Sequence, residues 1–161
     1  MIACRTKSVD DTKALAAEIA PLLQPADLLV LAGDLGAGKT AFTQGLARGL
    51  GVADPVTSPA FVLVRSYAGR LPLVHVDVYR LDHVQELVDL GVPELLDEDG
   101  VTVVEWGDVV TAALPPEFLE VRLDHGEGDD ERGLRLTPVG PAWAPRLTAL
   151  RQVLGPWLVE R

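Results

Sequence analysis

Hydrophobic and polar residues alternate along this chain with a period that changes from one segment to the next. Asp27–Ala32 is a short apolar run, typical of a strand that is buried on both faces. Farther on, Phe42, Leu46 and Leu50 recur every four residues, which predicts a helix with one apolar stripe over Lys39–Leu50. This part of the chain is therefore expected to form a strand and then a helix, with a glycine-rich stretch between them.

The rest of the pattern predicts more strands and short helices. Residues 1–7 are expected to form an edge strand, and Ser8 is expected to cap a helix whose apolar face includes Leu15 and Ile19. Two short helices are predicted over 81–87 and 92–96. The further predicted strands are Val62–Tyr67, Leu71–Tyr79, Val101–Val104, Phe118–Leu123 and Leu134–Leu136, of which the last two flank an acidic loop over 124–131.

The C-terminal pattern predicts one more helix. An apolar stripe recurs at helical spacing from Trp143 to Trp157, between Pro145 near its start and Gly155-Pro156 near its end. We expect this stripe to cover the flank of the same domain. The predicted organisation is one domain over 1–140 and a helical extension over 141–161 packed on it.

Composition narrows the class of protein. With 161 residues, 48% hydrophobic and 24% charged, the chain is expected to be globular. Its net charge of −10 and its three lysines argue against a broad nucleic-acid-binding face. A single cysteine excludes an internal disulfide and a cysteine-cluster metal site. Because no signal peptide or membrane-spanning run is recognisable, we expect a soluble cytoplasmic protein.

The glycine-rich stretch Gly33–Thr40 reads G-x-x-x-x-G-K-T, the phosphate-binding loop of nucleoside-triphosphate proteins. Its glycines allow successive N–H groups to face one anion, and the start of the helix adds further N–H groups. Lys39 is expected to reach the β- and γ-phosphates, and the hydroxyl of Thr40 to hold Mg²⁺. The predicted fold is an α/β P-loop nucleotide-binding fold, with a central parallel sheet, flanking antiparallel strands and helices on both faces.

Two other interpretations of this loop are open. In the first, the stretch is only a turn between a strand and a helix. In the second, it is the dinucleotide-binding fingerprint G-x-G-x-x-A, which Gly36-x-Gly38-x-x-Ala41 also fits. The dinucleotide pattern has no use for Lys39 and Thr40, and it requires an acidic residue at the end of the next strand. Asp54 is the nearest candidate, but no apolar strand leads into it. We therefore favour the nucleoside-triphosphate site.

Two carboxylates are candidates for chemistry on the bound phosphates. Asp77 lies near the end of a predicted strand, on the side opposite its valines, and Glu105 directly follows the buried strand Val101–Val104. Carboxylates at the carboxyl ends of parallel strands face the crevice in which α/β proteins bind ligands, so either residue could hold Mg²⁺ or orient water. The alternative for Asp77 is a surface residue on a half-exposed strand. The three histidines lack metal-ligand spacing, and we expect none of them to bind a metal.

Taken together, four segments resemble the TsaE (YjeE) family over residues 1 to about 137. The segments are Gly33–Thr40, Thr57–Phe61, His75–Leu81 and Val104–Trp106. The chain departs from the family at Ala60, where a threonine is usual, and in the tail from Pro141.

The resemblance implies a small ATPase required for threonylcarbamoyladenosine modification of tRNA at position thirty-seven. It implies TsaD and TsaB as partners, with tRNA contacted only through that complex and with no contact with DNA or membranes. It further implies that ATP or ADP is contacted by Leu35–Thr40, that Thr40 and Glu105 hold Mg²⁺, and that Lys39, Asp77 and Glu105 are catalytic. Less closely matched nucleotide contacts are Ser8 and Arg132. Because no arginine is obviously placed as an internal finger, hydrolysis is expected to be slow without partners.

Two other functions are compatible with the residues. A small P-loop kinase would need a lid that carries arginines, and Arg65, Arg70, Arg80 and Arg122 are scattered along the chain. A nucleotide-dependent binding module with little hydrolysis would need the loop but not Glu105.

Overall fold

The computed structural model describes residues 1–34, 36–57, 64–77, 99–105 and 114–159. Leu35, the predicted helices over 81–87 and 92–96, and Trp106 lie outside these ranges. The strands described are β1 (Ile2–Thr6), β2 (Leu28–Ala32), β3 (Val64–Tyr67), β4 (Leu73–Asp77), β5 (Val101–Glu105), β6 (Phe118–His125) and β7 (Arg132–Val139). The α-helices described are α1 (Val9–Ile19), α2 (Lys39–Gly49) and α3 (Leu147–Val153).

These strands form one sheet in the order β1-β7-β6-β2-β5-β4-β3. The four central strands, β6, β2, β5 and β4, are parallel to one another. The pairs β1/β7, β6/β7 and β3/β4 are antiparallel and lie at the two flanks. The predicted α/β fold with a parallel centre and antiparallel flanks is therefore confirmed. β2 occupies the middle because all five of its side chains are apolar and can be buried on both faces.

Side chains of the central strands divide between two buried clusters, one on each face of the sheet. Leu29 and Leu31 of β2 lie in the larger cluster, together with the buried apolar side chains of α1, α2 and α3. Leu28 and Val30 lie in the smaller cluster on the opposite face. The described α-helices thus pack on the first face. Among them, none combines the length and the apolar character needed to cross a membrane.

Helices α1 and α2 pack closely because two glycines of α2 face α1. A Cβ atom added to Gly45 would lie 2.2 Å from the carbonyl oxygen of Lys13. A Cβ atom added to Gly49 would lie 2.7 Å from the carbonyl oxygen of Ala17. Such distances are far shorter than real carbon contacts, so only glycine allows the two backbones to approach this closely.

The two last strands are longer than the sequence pattern predicts. β6 extends to His125 and β7 begins at Arg132, so part of the expected acidic loop is paired in the hairpin. The polar residues at these ends continue the ladder because strand pairing uses main-chain groups, which a hydrophobicity pattern does not register. β1 is the edge strand expected over residues 1–7, and it pairs with β7.

The C-terminal segment is not the single helix expected from Trp143 to Trp157. It consists of a 3₁₀ turn at Ala144–Arg146, then α3, then a second 3₁₀ turn at Gly155–Trp157. Proline occupies an early position of each 3₁₀ turn, and Gly155 precedes a proline, which disfavours continuation of the α-helix. The buried stripe of this segment nevertheless joins the larger cluster.

Polar contacts also attach this segment to the rest of the protein. The guanidinium of Arg146 binds both carboxylate oxygens of Asp27, at 2.6 and 2.8 Å, and lies 3.7 Å from the ring centroid of Trp143. The indole N–H of Trp157 donates to Asp11 at 2.8 Å, and the main-chain N–H of Val159 donates to the carbonyl of Ala3 at 3.0 Å. The division into a domain over 1–140 and an extension over 141–161 stays a prediction.

Candidate functional site

The glycine-rich loop connects the carboxyl end of β2 to the first turn of α2. Gly38 occupies the N-cap position of α2 with φ +103, a conformation that residues with a Cβ rarely adopt. Its carbonyl accepts the N–H of Phe42 at 2.9 Å, which starts the helix, and the N–H of Ala37 donates to the carbonyl of Asp34 at 3.0 Å. The loop is thus a tight turn that ends directly in a helix, as predicted.

The beginning of α2 differs from that of α1 in a way that favours an anion. At α1, the Ser8 hydroxyl accepts the N–H of Asp11 at 3.0 Å, and acidic residues occupy the first turn. At α2, the N-cap Gly38 offers no side-chain hydrogen bond, and no acidic residue lies in the first turn. First-turn N–H groups have no partner inside a helix, so those of α2 are suited to an anionic ligand.

Lys39 folds back over the loop. Its ammonium group donates to the carbonyls of Gly33 at 2.6 Å and Asp34 at 3.1 Å, and only 6% of the residue is exposed. These contacts keep the charge at the loop, where phosphate groups would lie.

The two candidate carboxylates lie side by side at the same edge of the sheet. Asp77 and Glu105 are register partners at the ends of β4 and β5, and both are buried. Glu105 is also the register partner of Leu31 in β2, so it lies next to the strand that leads into the loop. Its Oε1 is 3.4 Å from the hydroxyl of Thr40, although the two residues are 65 positions apart. The structure therefore excludes the alternative in which Asp77 is a surface residue on a half-exposed strand.

His75 is a further buried group beside this pair. It is fully buried on β4, two residues before Asp77, and its Nε2 lies 3.0 Å from Oε1 of Glu105. Sequence analysis excluded the histidines as metal ligands and included His75 in the family-like segment His75–Leu81, but it missed this contact. Spacing on the strand could have placed His75 on the same side of β4 as Asp77, because residues two apart face the same side of a sheet, but it could not have indicated the contact with Glu105 on β5.

Arg132 binds the loop from the β6/β7 hairpin. Its guanidinium donates to the carbonyls of Gly36 and Ala37, both at 3.1 Å. It also donates to the carbonyls of Asp129 and Glu131, both at 2.8 Å. The arginine therefore fixes the loop against the hairpin.

Of the predicted site residues, the structure brings together Gly36, Ala37, Gly38, Lys39, Thr40, Asp77, Glu105 and Arg132. Within the described ranges, the hydrogen bonds of the Ser8 side chain stay at the start of α1. Leu35 lies outside those ranges. No group of three or more His, Cys, Asp or Glu side chains that could hold a metal ion occurs in the described part of the chain.

Comparison with known proteins identifies the family of this chain. The family model described as "Threonylcarbamoyl adenosine biosynthesis protein TsaE" matches residues 6–134, which include the loop and both carboxylates. The chain belongs to the TsaE family. The TsaE protein of Bacillus subtilis is 45% identical over 137 residues, covering 84% of this chain and 85% of that protein. The Treponema pallidum TsaE protein is 42% identical over 120 residues, covering 74% and 89%.

A solved structure extends the TsaE similarity to the whole fold. The crystal structure of Bacillus subtilis YdiB superposes with a TM-score of 0.77 at 38% identity, and the match covers 97% of each chain. It therefore includes most of the segment beyond residue 134, where the family model ends.

Proposed function

We propose that this TsaE-family protein binds ATP with Mg²⁺ at Gly33–Thr40, hydrolyses it to ADP and phosphate, and thereby supports threonylcarbamoyladenosine formation on tRNA. The observation that carries the proposal is the meeting of Thr40 and Glu105 at the start of α2, 3.4 Å apart. The names of the relatives connect the family with this tRNA modification.

The loop supports triphosphate binding in three ways. The main-chain N–H groups of Gly36 and of residues 38–40 supply donors, the start of α2 supplies the positive end of the helix dipole, and Lys39 supplies a full charge. We propose that Gly36, Ala37, Gly38, Lys39 and Thr40 contact ATP or ADP, with Leu35 included by the family resemblance. Arg132 supports this binding by holding the carbonyls of Gly36 and Ala37. A contact between Ser8 and the nucleotide stays a prediction.

Thr40 and Glu105 have the chemistry of a magnesium site. Mg²⁺ prefers oxygen ligands and commonly takes one or two from the protein, with phosphate and water oxygens completing its shell. A hydroxyl and a carboxylate oxygen 3.4 Å apart fit that role. Bound there, the ion would neutralise charge on the β- and γ-phosphate oxygens.

Hydrolysis needs an oriented water molecule and stabilisation of the charge that develops on the phosphates. We propose that Asp77, beside Glu105 at the end of β4, orients the attacking water. Lys39 and the loop N–H groups stabilise the equatorial phosphate oxygens. Within the described residues, the guanidinium beside the loop is that of Arg132, and its four donor contacts go to main-chain carbonyls. This arrangement supports slow turnover in the isolated protein.

We further propose that TsaD and TsaB are the partners, as the family resemblance implies, and that the protein acts in the cytoplasm with its tRNA substrate. A net charge of −10 supports a role in which the partners hold the tRNA.

Calorimetry with Mg-ATP and Mg-ADP tests the nucleotide site. We expect wild-type binding, with Lys39→Ala weakening it at least tenfold and Thr40→Ala weakening it chiefly when Mg²⁺ is present. Thr137→Ala, on β7 away from the loop, serves as the control and should bind as the wild type does. Absence of binding heat from the folded wild-type protein, alone and with TsaD and TsaB, would contradict the proposal.

ATP turnover with and without TsaD and TsaB tests the second part. We expect the partners to raise the rate, and Glu105→Ala to abolish turnover while nucleotide binding persists. Should Glu105→Ala retain full support of tRNA modification, the binding-module alternative would replace the ATPase proposal. Equal rates with and without partners would show that they do not contribute to the site.

A further inference from the structure

His75 is a buried polar side chain to which the proposed function assigns no role. It is fully buried, although a polar ring in a protein core destabilises the fold unless a partner satisfies it. Its Nε2 lies 3.0 Å from Oε1 of Glu105, itself 4% exposed at the side chain. The alignment is not that of a good hydrogen bond, and neither ring nitrogen has another hydrogen-bond partner among the described residues.

The oxygen that His75 contacts is the one that faces Thr40. Oε1 of Glu105 lies 3.0 Å from the ring nitrogen and 3.4 Å from the threonine hydroxyl. Nε2 is thus within hydrogen-bond distance of this oxygen, so a proton on Nε2 could be donated to the carboxylate. Such a donor would fix the orientation of the carboxylate, as outer-shell partners do for metal ligands in general.

The neighbouring carboxylate makes this orientation necessary. Asp77 and Glu105 are register partners on adjacent strands, and like charges at such positions repel each other. An N–H donor on β4 that binds Glu105 offsets this repulsion. His75 is suitably placed because it lies on the same side of β4 as Asp77 and one strand away from Glu105.

We propose that His75 is a positioning residue for Glu105, and that its Nε2–H holds the carboxylate in the orientation in which Glu105 and Thr40 bind Mg²⁺ together. The proposal rests on the proposed nucleotide function. It assigns His75 no contact with the nucleotide and none with the ion.

Three variants test this role. His75→Leu removes the donor, and His75→Gln restores an N–H near the position of Nε2. Val103→Ala is the matched control, because Val103 is the register partner of His75 and is equally buried but makes no polar side-chain contact. ADP binding is measured by calorimetry over a range of Mg²⁺ concentrations and also in EDTA.

We expect His75→Leu to raise the Mg²⁺ concentration needed for half-maximal ADP binding by about tenfold. In His75→Gln this concentration should return most of the way to the wild-type value. Binding in EDTA should not change. Val103→Ala should lower stability but leave the Mg²⁺ dependence as in the wild type. If wild-type binding itself does not depend on Mg²⁺, the proposed function fails. If wild-type binding depends on Mg²⁺ but His75→Leu leaves that dependence unchanged, only the role of His75 fails. The same conclusion follows if Val103→Ala shifts the Mg²⁺ dependence as much as His75→Leu does.

Nitrogen-15 NMR of the wild-type imidazole gives a readout that does not depend on a variant folding. We expect a proton on Nε2, with a chemical shift that changes in Glu105→Gln. A ring without a proton on Nε2 overturns the proposal. If His75→Leu does not fold, His75→Asn replaces it, because its shorter amide cannot reach the Nε2 position.

Discussion

The Asp27–Arg146 ion pair is buried, so removal of one of its charges is expected to lower stability. The two side chains are 7% and 11% exposed, and their nearest atoms are 2.6 Å apart. In Asp27→Asn, the arginine would stay buried without a counter-charge, so we expect a loss of about 3 kcal/mol in the free energy of unfolding, measured in urea.

The Asp124–Arg135 pair provides the control for this prediction. Its atoms are 2.9 Å apart, but its side chains are 55% and 49% exposed. We expect Asp124→Asn to change stability by less than about 1 kcal/mol, because water screens exposed pairs. Equal losses in the two variants would show that burial does not determine the contribution of the Asp27 pair.

Cys4 gives a pH-dependent prediction. Burial raises the pKa of its thiol from 9.0 to about 11, opposed in part by the charge of Arg151. The folded state thus favours the neutral thiol. The stability that this contributes is complete below pH 9.0 and is lost as the pH rises towards about 11.

We expect the free energy of unfolding in urea to fall between pH 8 and pH 11 because of this loss. The fall should be smaller in Cys4→Ala, which has no thiol to titrate. The folded protein should also resist thiol reagents at pH 8, since the thiolate is the reactive form. Reaction at the rate of a free cysteine would contradict the burial of this side chain.

Some residues of the candidate site could be predicted from the sequence and others could not. Lys39 and Thr40 followed from a motif whose spacing is itself the signal. Glu105 followed from its place after a buried strand. His75 did not, because its contact depends on β4 and β5 lying side by side in one register, which no local pattern encodes.

At the scale of elements, the close packing of α1 on α2 makes Gly45 a sensitive position. A methyl group there would meet the Lys13 carbonyl, so Gly45→Ala should force the helices apart and lower stability by about 1–3 kcal/mol in urea unfolding. Gly133→Ala is the control, since a Cβ at Gly133 meets nothing within 4 Å. If Gly45→Ala matches or exceeds wild-type stability, the two helices are not held at this distance.

Helices and strands with a clear hydrophobic period could be predicted from the sequence. Elements whose bounds depend on tertiary contacts could not. The apolar stripe of α2 indicated its buried face, and the acidic first turn after Ser8 indicated the start of α1. The broken C-terminal helix was not predicted, because the apolar spacing from Trp143 to Trp157 continues across both 3₁₀ turns, and Trp157 still packs against the larger cluster. The helices predicted over 81–87 and 92–96 stay predictions.

At the scale of the whole molecule, the net charge predicts whether the isolated protein binds RNA. A net charge of −10 opposes contact with the phosphate backbone, so we expect no binding of tRNA by the isolated protein in a filter assay near physiological salt. Any binding should require TsaD and TsaB. A tRNA complex formed by this protein alone at low micromolar concentration would show that the tRNA contact is direct.

The order of strands in the sheet has a consequence for synthesis on the ribosome. β2 lies between β5 and β6, and residues 33–100 separate it from the first of these neighbours. β2, an entirely apolar strand, therefore has no sheet partner until most of the chain has emerged from the ribosome. During that time it can bind chaperones or aggregate. Since the glycine-rich loop is attached to this strand, the nascent protein can assemble the proposed nucleotide site only late in translation.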